Sequence, residues 1–269
     1  MLTGTGYTSK YDLAHPNEAG THRIPRAERK KYEQSHFSRM TQASPTVEEL
    51  LEEVHRLEEK DGAARTKMLG SRLHVTLGTV TNNLSRLQRL GLVKRERYKG
   101  TRLTGEGRKI AMSVLRRHRL LERLLTDVLH IGWSKSHHAA CKLEHCVDDE
   151  ITEAIDNVLA HPKMCPHGNA IPARSGRILS QASTRLTDIP SGGVGIVVRV
   201  QDEEEGGALA YLESIGLTPG ADFRVEGHVP FDGAVNLTLG HSKITVPRRV
   251  ASFVVVKKRS QVKARARRN

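Results

Sequence analysis

Between residues 44 and 107 the hydrophobic period changes from helical to extended, and this change constrains the fold more than any other feature of the chain. Val47, Leu50, Leu51, Val54 and Leu57 recur at helical spacing. Thr46 followed by Glu49, with Pro45 before them, reads as a capping box at the start of this helix, and Asp61-Gly62 ends it. A second short helix is expected over Ala64 to Leu73, with Met68, Leu69 and Leu73 inward. His74-Val75 makes a tight connection, Thr76 caps a third helix built on Val80, Leu84 and Leu87, and Gly91 stops it. Leu92 to Tyr98, Lys99-Gly100 and Thr101 to Leu103 then read as strand, turn and strand. Three helices followed by a basic hairpin make a winged helix-turn-helix.

The remaining chain splits into a helical and a β-rich part. Thr104 to Gly107 opens a long helix carrying Ile110, Val114, Leu115, Leu121, Leu124, Leu125, Val128 and Leu129. Further helices are expected over Ser136 to Glu144 and Asp148 to Leu159, the latter carrying Ile151, Ile155 and Val158, before Pro162, Pro166, Gly168 and Pro172 break the pattern. From Thr187 the character becomes β-branched. Short runs at Gly195 to Val200, Asp222 to Val229, Ala234 to Leu239, Lys243 to Val246 and Ser252 to Val256 suggest a small β-barrel. Its helix is Ala208 to Ile215, ended by Gly216. The expected organisation is an arm over 1–43, a DNA-binding domain over 44–107, a helical domain over 108–172, a linker over 173–184, a β domain over 185–258 and a basic tail over 259–269. The fold class is mainly α with β. The arm, with its basic cluster from His22 to Lys31, suits either a solvated tail or contact with phosphates.

The 269 residues carry a formal charge of +13, which points to a polyanion. Nucleic acid is the first candidate and an anionic membrane surface the second. Aromatic residues make up only 4%, which argues against reading single strands by stacking. Without an apolar run of about 20 residues, no transmembrane helix is expected. The N-terminal stretch lacks the basic-then-apolar layout of a signal peptide, so a cytoplasmic protein is expected. Three cysteines, Cys141, Cys146 and Cys165, are too few and odd in number for a disulfide scaffold, leaving free thiols or metal ligands.

On the third helix, Thr76, Gly78, Thr79, Asn82 and Asn83 occupy the positions that approach base edges in a major groove. Asparagine can bond adenine bidentately, and a threonine methyl can meet that of thymine. Arg86 beside them and Arg97 and Lys99 on the wing suit phosphates. The same module can instead serve protein contacts.

Two helices carry stripes of metal-ligand side chains. His118 and Glu122 are four apart on one face, while His137, Cys141, Glu144 and His145 share a face of the next helix. Imidazole, thiolate and carboxylate together suit a borderline divalent transition metal. Glutamate and histidine are equally at home on a solvated helix, and spacing alone leaves both readings open.

The run His118-Arg-Leu-Leu-Glu-Arg-Leu-Leu125 and the run His137-His-Ala-Ala-Cys-Lys-Leu-Glu-His145 resemble the diphtheria toxin repressor (DtxR) family of iron- and manganese-dependent regulators. So do Cys165-Pro-His-Gly-Asn-Ala-Ile-Pro172 and the wing from Leu92-Val93 to Leu103-Thr104. The resemblance spans about residues 44 to 258. It implies a winged helix-turn-helix, a helical metal-binding and dimerisation domain, and a C-terminal SH3-like domain of the FeoA type, in keeping with the turn Ile215-Gly-Leu-Thr-Pro-Gly220. Carried over by position, it implies two metal sites. One uses His118, Glu122 and His137 with an acidic residue of the SH3-like domain, Glu205 by register; the glutamine that iron-type members place three residues on is Ala208 here. The other uses Cys141, Glu144 and His145 with a ligand from the first helix, Glu49, and Glu52 one turn later. Cys141 is the softer, iron-type choice and Glu49 the harder, manganese-type one, so the divalent transition metal expected is Fe2+ ahead of Mn2+. Cys146 and Cys165 match no ligand position, and Cys165 with His167 reads as a structural turn rather than a site.

The resemblance implies a homodimer on a palindromic double-stranded operator, with metal as co-repressor of metal-homeostasis genes. No small-molecule substrate and no catalytic residue is expected: the chain has no H-E-x-x-H, nucleophile elbow or glycine-rich phosphate loop. The competing reading is a winged-helix architectural protein that binds DNA without regard to metal.

Overall fold

The computed structural model describes residues 45–179, 184–201 and 207–259. Helix α1 (Pro45–Asp61) begins with its proline, whose missing N–H would have had no partner in a first turn. Thr46 therefore lies inside the helix, two residues past the cap position that the capping box read from the sequence requires. Val47, Leu50, Leu51, Val54 and Leu57 are all buried, as their spacing requires. Helix α2 (Thr66–Arg72) is short and turns Leu69 and Gly70 to the core. Met68, expected inward, is 41% exposed, because one residue of helix is a rotation of about 100° away from Leu69.

His74, with φ of 52°, turns the chain into α3 (Leu77–Arg89). Thr76 caps α3 by accepting from the Thr79 amide at 3.1 Å, and Val80, Leu84 and Leu87 are buried. The wing is the antiparallel pair β1 (Val93–Glu96) and β2 (Gly100–Leu103), in register Val93 with Leu103. Ala64 bridges to Thr101 on its far side, so the α1–α2 loop holds the wing to the helices.

Thr104 caps α4 (Gly105–Arg123), the helix that joins all parts of the molecule. The sequence suggests that it runs on to Leu129. Instead it relaxes into a π-helical turn over Leu124–Val128, which leaves Val128 and Leu129 exposed. Helix α5 (Trp133–Leu143), a 3₁₀ turn (Glu144–Cys146) and α6 (Asp149–Val158), capped by Asp148 at 2.8 Å, complete the helical part. Leu120, Leu121, Leu125, Ala140, Ile155, Cys165 and Ile171 form its core.

The C-terminal part is a five-stranded antiparallel sheet of order β6-β5-β4-β3-β7. Its strands are β3 (Val194–Val200), β4 (Asp222–His228), β5 (Val235–Leu239), β6 (Ser242–Val246) and β7 (Val254–Lys258). The runs read from the sequence match, except that Ser252 and Phe253 turn the chain out of the short α8 (Arg248–Ala251) before β7 starts. Helix α7 (Ala208–Ser214) packs Leu209 and Leu212 into the sheet core and is ended by Gly216 at φ of 73°. Register shifts in the β3–β7 and β4–β5 ladders bend the sheet.

One loop fastens sheet to helices. Residues 164–170 fold back on themselves, with Met164 bridged to Ala170 and the Cys165 amide bonded to the Asn169 carbonyl at 2.8 Å. β3 grips this loop: the Val200 amide donates to His167 O at 2.8 Å, and Asn169 Nδ2 donates to Val200 O at 3.0 Å. Among the described residues no helix is long and apolar enough to cross a membrane.

Candidate metal centre

α4 and α5 pack face to face and bring their ligand stripes together. His118 Nε2 lies 2.9 Å from Glu122 Oε1 and 3.0 Å from His137 Nδ1. Its other nitrogen, Nδ1, lies 2.6 Å from Glu144 Oε2. Cys141 Sγ is 3.7 Å from His137 Nε2. Ligand atoms of His118, His137 and Cys141 all fall within 4.8 Å of one another. Two donors about 2.1 Å from a common ion stand roughly 3.0–3.4 Å apart at octahedral or tetrahedral angles, so this is the crowding a coordination site needs.

A second group shares Glu122. Its Oε1 is 3.1 Å from His167 Nδ1 and 3.1 Å from His137 Nδ1, and Glu122, Cys165 and His167 offer ligand atoms within 4.8 Å. His167 Nε2 points at the Trp133 carbonyl at 3.1 Å and is its donor, which leaves Nδ1 as an acceptor facing a carboxylate. Two acceptors at that distance require a proton or a cation between them. Glu122 Oε2 is buried with no hydrogen-bond partner among the described residues. A buried carboxylate with one oxygen orphaned and the other ringed by three imidazoles fits a divalent cation.

The electrostatics agree. Desolvation opposes charge on His118, yet the neighbouring Glu122 and bonds to Cys141, Glu122 and Glu144 hold its pKa well above the ordinary histidine value. Desolvation likewise opposes charge on Glu122, but His118 and His167 pull its pKa well below the carboxylate range. Burial would raise the Cys141 thiol, and hydrogen bonds from His118 and His137 reverse this and lower it. The cluster thus favours charge on the Glu122 carboxylate and eases deprotonation of Cys141 beside imidazoles that carry positive charge.

The sequence-predicted residues separate into three groups. His118, Glu122 and His137 come together as one constellation, and Cys141 and Glu144 touch the same His118–His137 pair rather than standing apart from it. His145 sits at the edge, with Nε2 3.4 Å from Glu144 Oε1. Its Nδ1 is held at 2.8 Å by Glu48, which is in turn fixed by Arg117 at 2.7 Å. The hydrogen bond to Glu48 raises the His145 pKa against the desolvation that would lower it. Glu49 and Glu52 line the same groove of about 830 Å³ as Cys141, Glu144 and His145. Within it, Glu52 accepts from Arg56 at 2.8 Å. Glu205 lies outside the described residues.

Cys165, read as matching no ligand position, is buried beside Glu122 and His167, so the turn from Cys165 to Asn169 is at once structural and a cluster of donors. Glu48, Cys165 and His167 are the residues that sequence reasoning missed. The histidine and cysteine were visible as a pair at i and i+2; nothing local said that they face Glu122.

In the DNA-binding part α3 exposes Gly78, Thr79, Asn82 and Arg86, while Asn83 is half-buried. The Thr76 and Thr79 hydroxyls bond each other at 2.9 Å. Arg95 NH1 donates to Ser85 Oγ at 3.1 Å and pins the wing beside α3. Arg97 and Lys99 stand at the wing's tip, Lys99 paired with Glu96 at 2.9 Å.

Comparison with known families agrees part by part. Residues 42–101 match the iron dependent repressor N-terminal DNA binding domain, 104–173 its metal binding and dimerisation domain, and 184–258 the FeoA domain. The iron-dependent repressor IdeR of Mycobacterium leprae is 34% identical over 226 residues, covering 79% of this chain and 97% of that protein. The diphtheria toxin repressor of Corynebacterium glutamicum is 35% identical over 152 residues, 55% of this chain and 67% of that protein. A manganese-dependent transcriptional repressor in complex with manganese superposes with a TM-score of 0.72 at 29% identity, over 79% of this chain and 100% of that one. The β-rich part is accordingly an SH3-like domain of the FeoA type, and the chain belongs to the DtxR family of metal-dependent repressors.

Proposed function

We propose that this chain is a homodimeric transcriptional repressor of metal-homeostasis genes, activated on its operator by a divalent metal, Fe2+ ahead of Mn2+. The observation that carries the reading is the position of the donors. They lie on α4, α5, the 3₁₀ turn after it and the 164–170 loop, yet their rim is completed by Glu48, Glu49 and Glu52 of α1, a helix of the DNA-binding domain.

His118, Glu122 and His137, with Glu205 by register, would hold one ion, and Cys141, Glu144 and His145, with Glu49 or Glu52 from α1, a second; Cys165 and His167 stand beside Glu122 as further donors to the first. Two thiols among the donors are what tilts the choice toward iron. A cation held there would supply the positive charge that balances the carboxylates of α1 and of the helical domain at one centre. Glu48 orients His145 toward the groove, and Arg117 keeps Glu48 in place. Asn169 and His167 link the same centre to the FeoA-type domain through Val200. The chain's own residues thereby fix the angle between the DNA-binding helices and the dimerisation helices. In a dimer that angle sets the spacing of two α3 helices, which must match successive major grooves. Such a linkage is worth about 1–3 kcal/mol of coupling between metal and operator.

The exposed apolar side chains Val128, Leu129, Ile131, Leu143, Ile151 and Val158 all belong to the helical domain and support it as the subunit contact. The test is operator binding as a function of Fe2+ and Mn2+ in anaerobic, reducing buffer. Cys141→Ala and His145→Ala should each abolish metal-dependent binding while circular dichroism and the dimer persist. Metal dependence unchanged in either variant would overturn this site assignment, and a wild-type chain that binds operator without regard to metal would leave the architectural reading in its place.

A further inference from the structure

The tip of the wing carries a residue that the fold does not need. Tyr98 is 91% exposed, and its φ is 65°, in the left-handed region where glycine or asparagine sits without strain and a bulky aromatic does not. Its ring buries nothing in the core. Next to it the Arg97 guanidinium lies 5.0 Å from the ring centroid, a cation–π contact that holds the pair outward as one unit. Lys99 follows, tied back to Glu96 at 2.9 Å. The base of the hairpin is rigid. Arg95 bonds Ser85 of α3, and Thr101 is bonded to Ala64 by both its amide and its carbonyl, at 2.8 and 2.9 Å. A strained, water-exposed aromatic on a rigid, cationic hairpin fastened to the DNA-reading helix is a feature whose cost must be recovered outside the free protein.

We infer that Tyr98 is a DNA contact: with α3 in a major groove, the wing tip lays the Tyr98 ring into the adjacent minor groove. This rests on the DNA-binding reading above. A minor groove about 6 Å wide admits a flat ring edge-on but not a helix. Narrow A·T-rich stretches concentrate negative potential, which favours the arginine stacked on the ring. The phenol hydroxyl can donate to the N3 and O2 acceptors that A·T pairs present there, while G·C adds an amino group in its way. Tyr98 thus extends sequence reading beyond the bases that α3 faces.

The experiment compares wild-type chain with Tyr98→Gly and Tyr98→Phe on a duplex operator selected with the metal-loaded wild type. The readouts are affinity, hydroxyl-radical protection of the minor groove, and melting temperature without DNA. Glycine relieves the backbone strain, so Tyr98→Gly should melt at the same temperature or higher, yet bind operator about tenfold more weakly and lose the minor-groove protection flanking the α3 site. A structural role for Tyr98 would move stability and affinity down together and would overturn the inference. Unchanged affinity or unchanged protection in Tyr98→Gly would overturn it as well. Tyr98→Phe should keep the protection and lose the preference for A·T over G·C at that step; full retention of the preference overturns the hydroxyl's role. If wild type selects no operator with any metal, the functional reading falls together with this one.

Discussion

Gly105 and Gly107 look alike in the sequence, two glycines opening one helix, and the structure separates them. A Cβ on Gly107 would fall 2.0 Å from the Leu92 carbonyl oxygen, which is backbone and cannot rotate away; a Cβ on Gly105 would meet nothing within 4 Å. Gly107→Ala should therefore cost roughly 1–3 kcal/mol, read as a lower urea midpoint, because α4 must back away from the wing. Gly105→Ala should be neutral or stabilising by up to about 1 kcal/mol. Equal effects of the two would refute the close approach of wing and α4. The same limit applies to the metal donors. Helical spacing says that His118 and Glu122 share a face, and that Cys141, Glu144 and His145 share another. It cannot say which of the adjacent Glu48 and Glu49 reaches His145, since the two differ by about 100° on the same helix. It is equally silent on Cys165 and His167, whose approach to Glu122 depends on a turn through Gly168 at φ of 84° and on a strand some 30 residues later in the chain.

Elements were legible where a cap and a period coincide. Thr76, Thr104 and Asp148 each accept from an amide three residues on and each begins a helix; the first two bury their apolar stripes, whereas α6 buries Ile155 and exposes Ile151 and Val158. The π-helical turn at the end of α4 was not legible, because Val128 and Leu129 continue the apolar pattern yet face outward, where a second subunit rather than this chain's core would cover them. Ile151 and Val158 of α6 are likewise exposed. The opposite side of α6 is held by charge: Arg116 of α4 donates to Asp156 at 2.8 Å and to the Pro172 carbonyl at 3.0 Å, and His161 lies 2.9 Å from the same carboxylate. Burial would raise the Asp156 pKa, but the bonds from His161 and Arg116 outweigh it and hold the group below its ordinary value. A carboxylate depressed in the folded state stabilises the fold fully above its unfolded pKa, and loses that contribution as pH falls through the folded one. Asp156→Asn should therefore melt lower than wild type at neutral pH, and the gap should close as the pH drops below the ordinary carboxylate range. A gap that stays constant through acid would mean that Asp156 acts by shape and not by charge.

At the scale of the whole molecule, α4 packs on α1, on the wing and on α5, residues 165–169 join α4 to β3, and α5 meets α7 of the FeoA-type part, where Ser134 bonds Glu213. The donors sit where α4 and α5 meet, whereas Arg86, Arg89, Lys94, Arg97, Lys99 and Arg102 are exposed on α3 and the wing. Under the proposed metal activation the bound ion would set the geometry and these cations the sequence-independent attraction, so the two contributions should separate under salt. Each phosphate neutralised adds about −0.9 to the slope of log affinity against log salt concentration. Replacing both Arg97 and Lys99 by alanine removes two cations per subunit and four per dimer. If all four engage phosphates, the slope should become shallower by roughly 3–4, with the metal concentration for half-maximal operator binding unchanged. His145→Ala should do the reverse, leaving the slope of residual non-specific binding intact while the metal response disappears. A salt slope insensitive to the wing substitutions would mean that the wing stands clear of the duplex, and the attraction would then have to come from α3 alone.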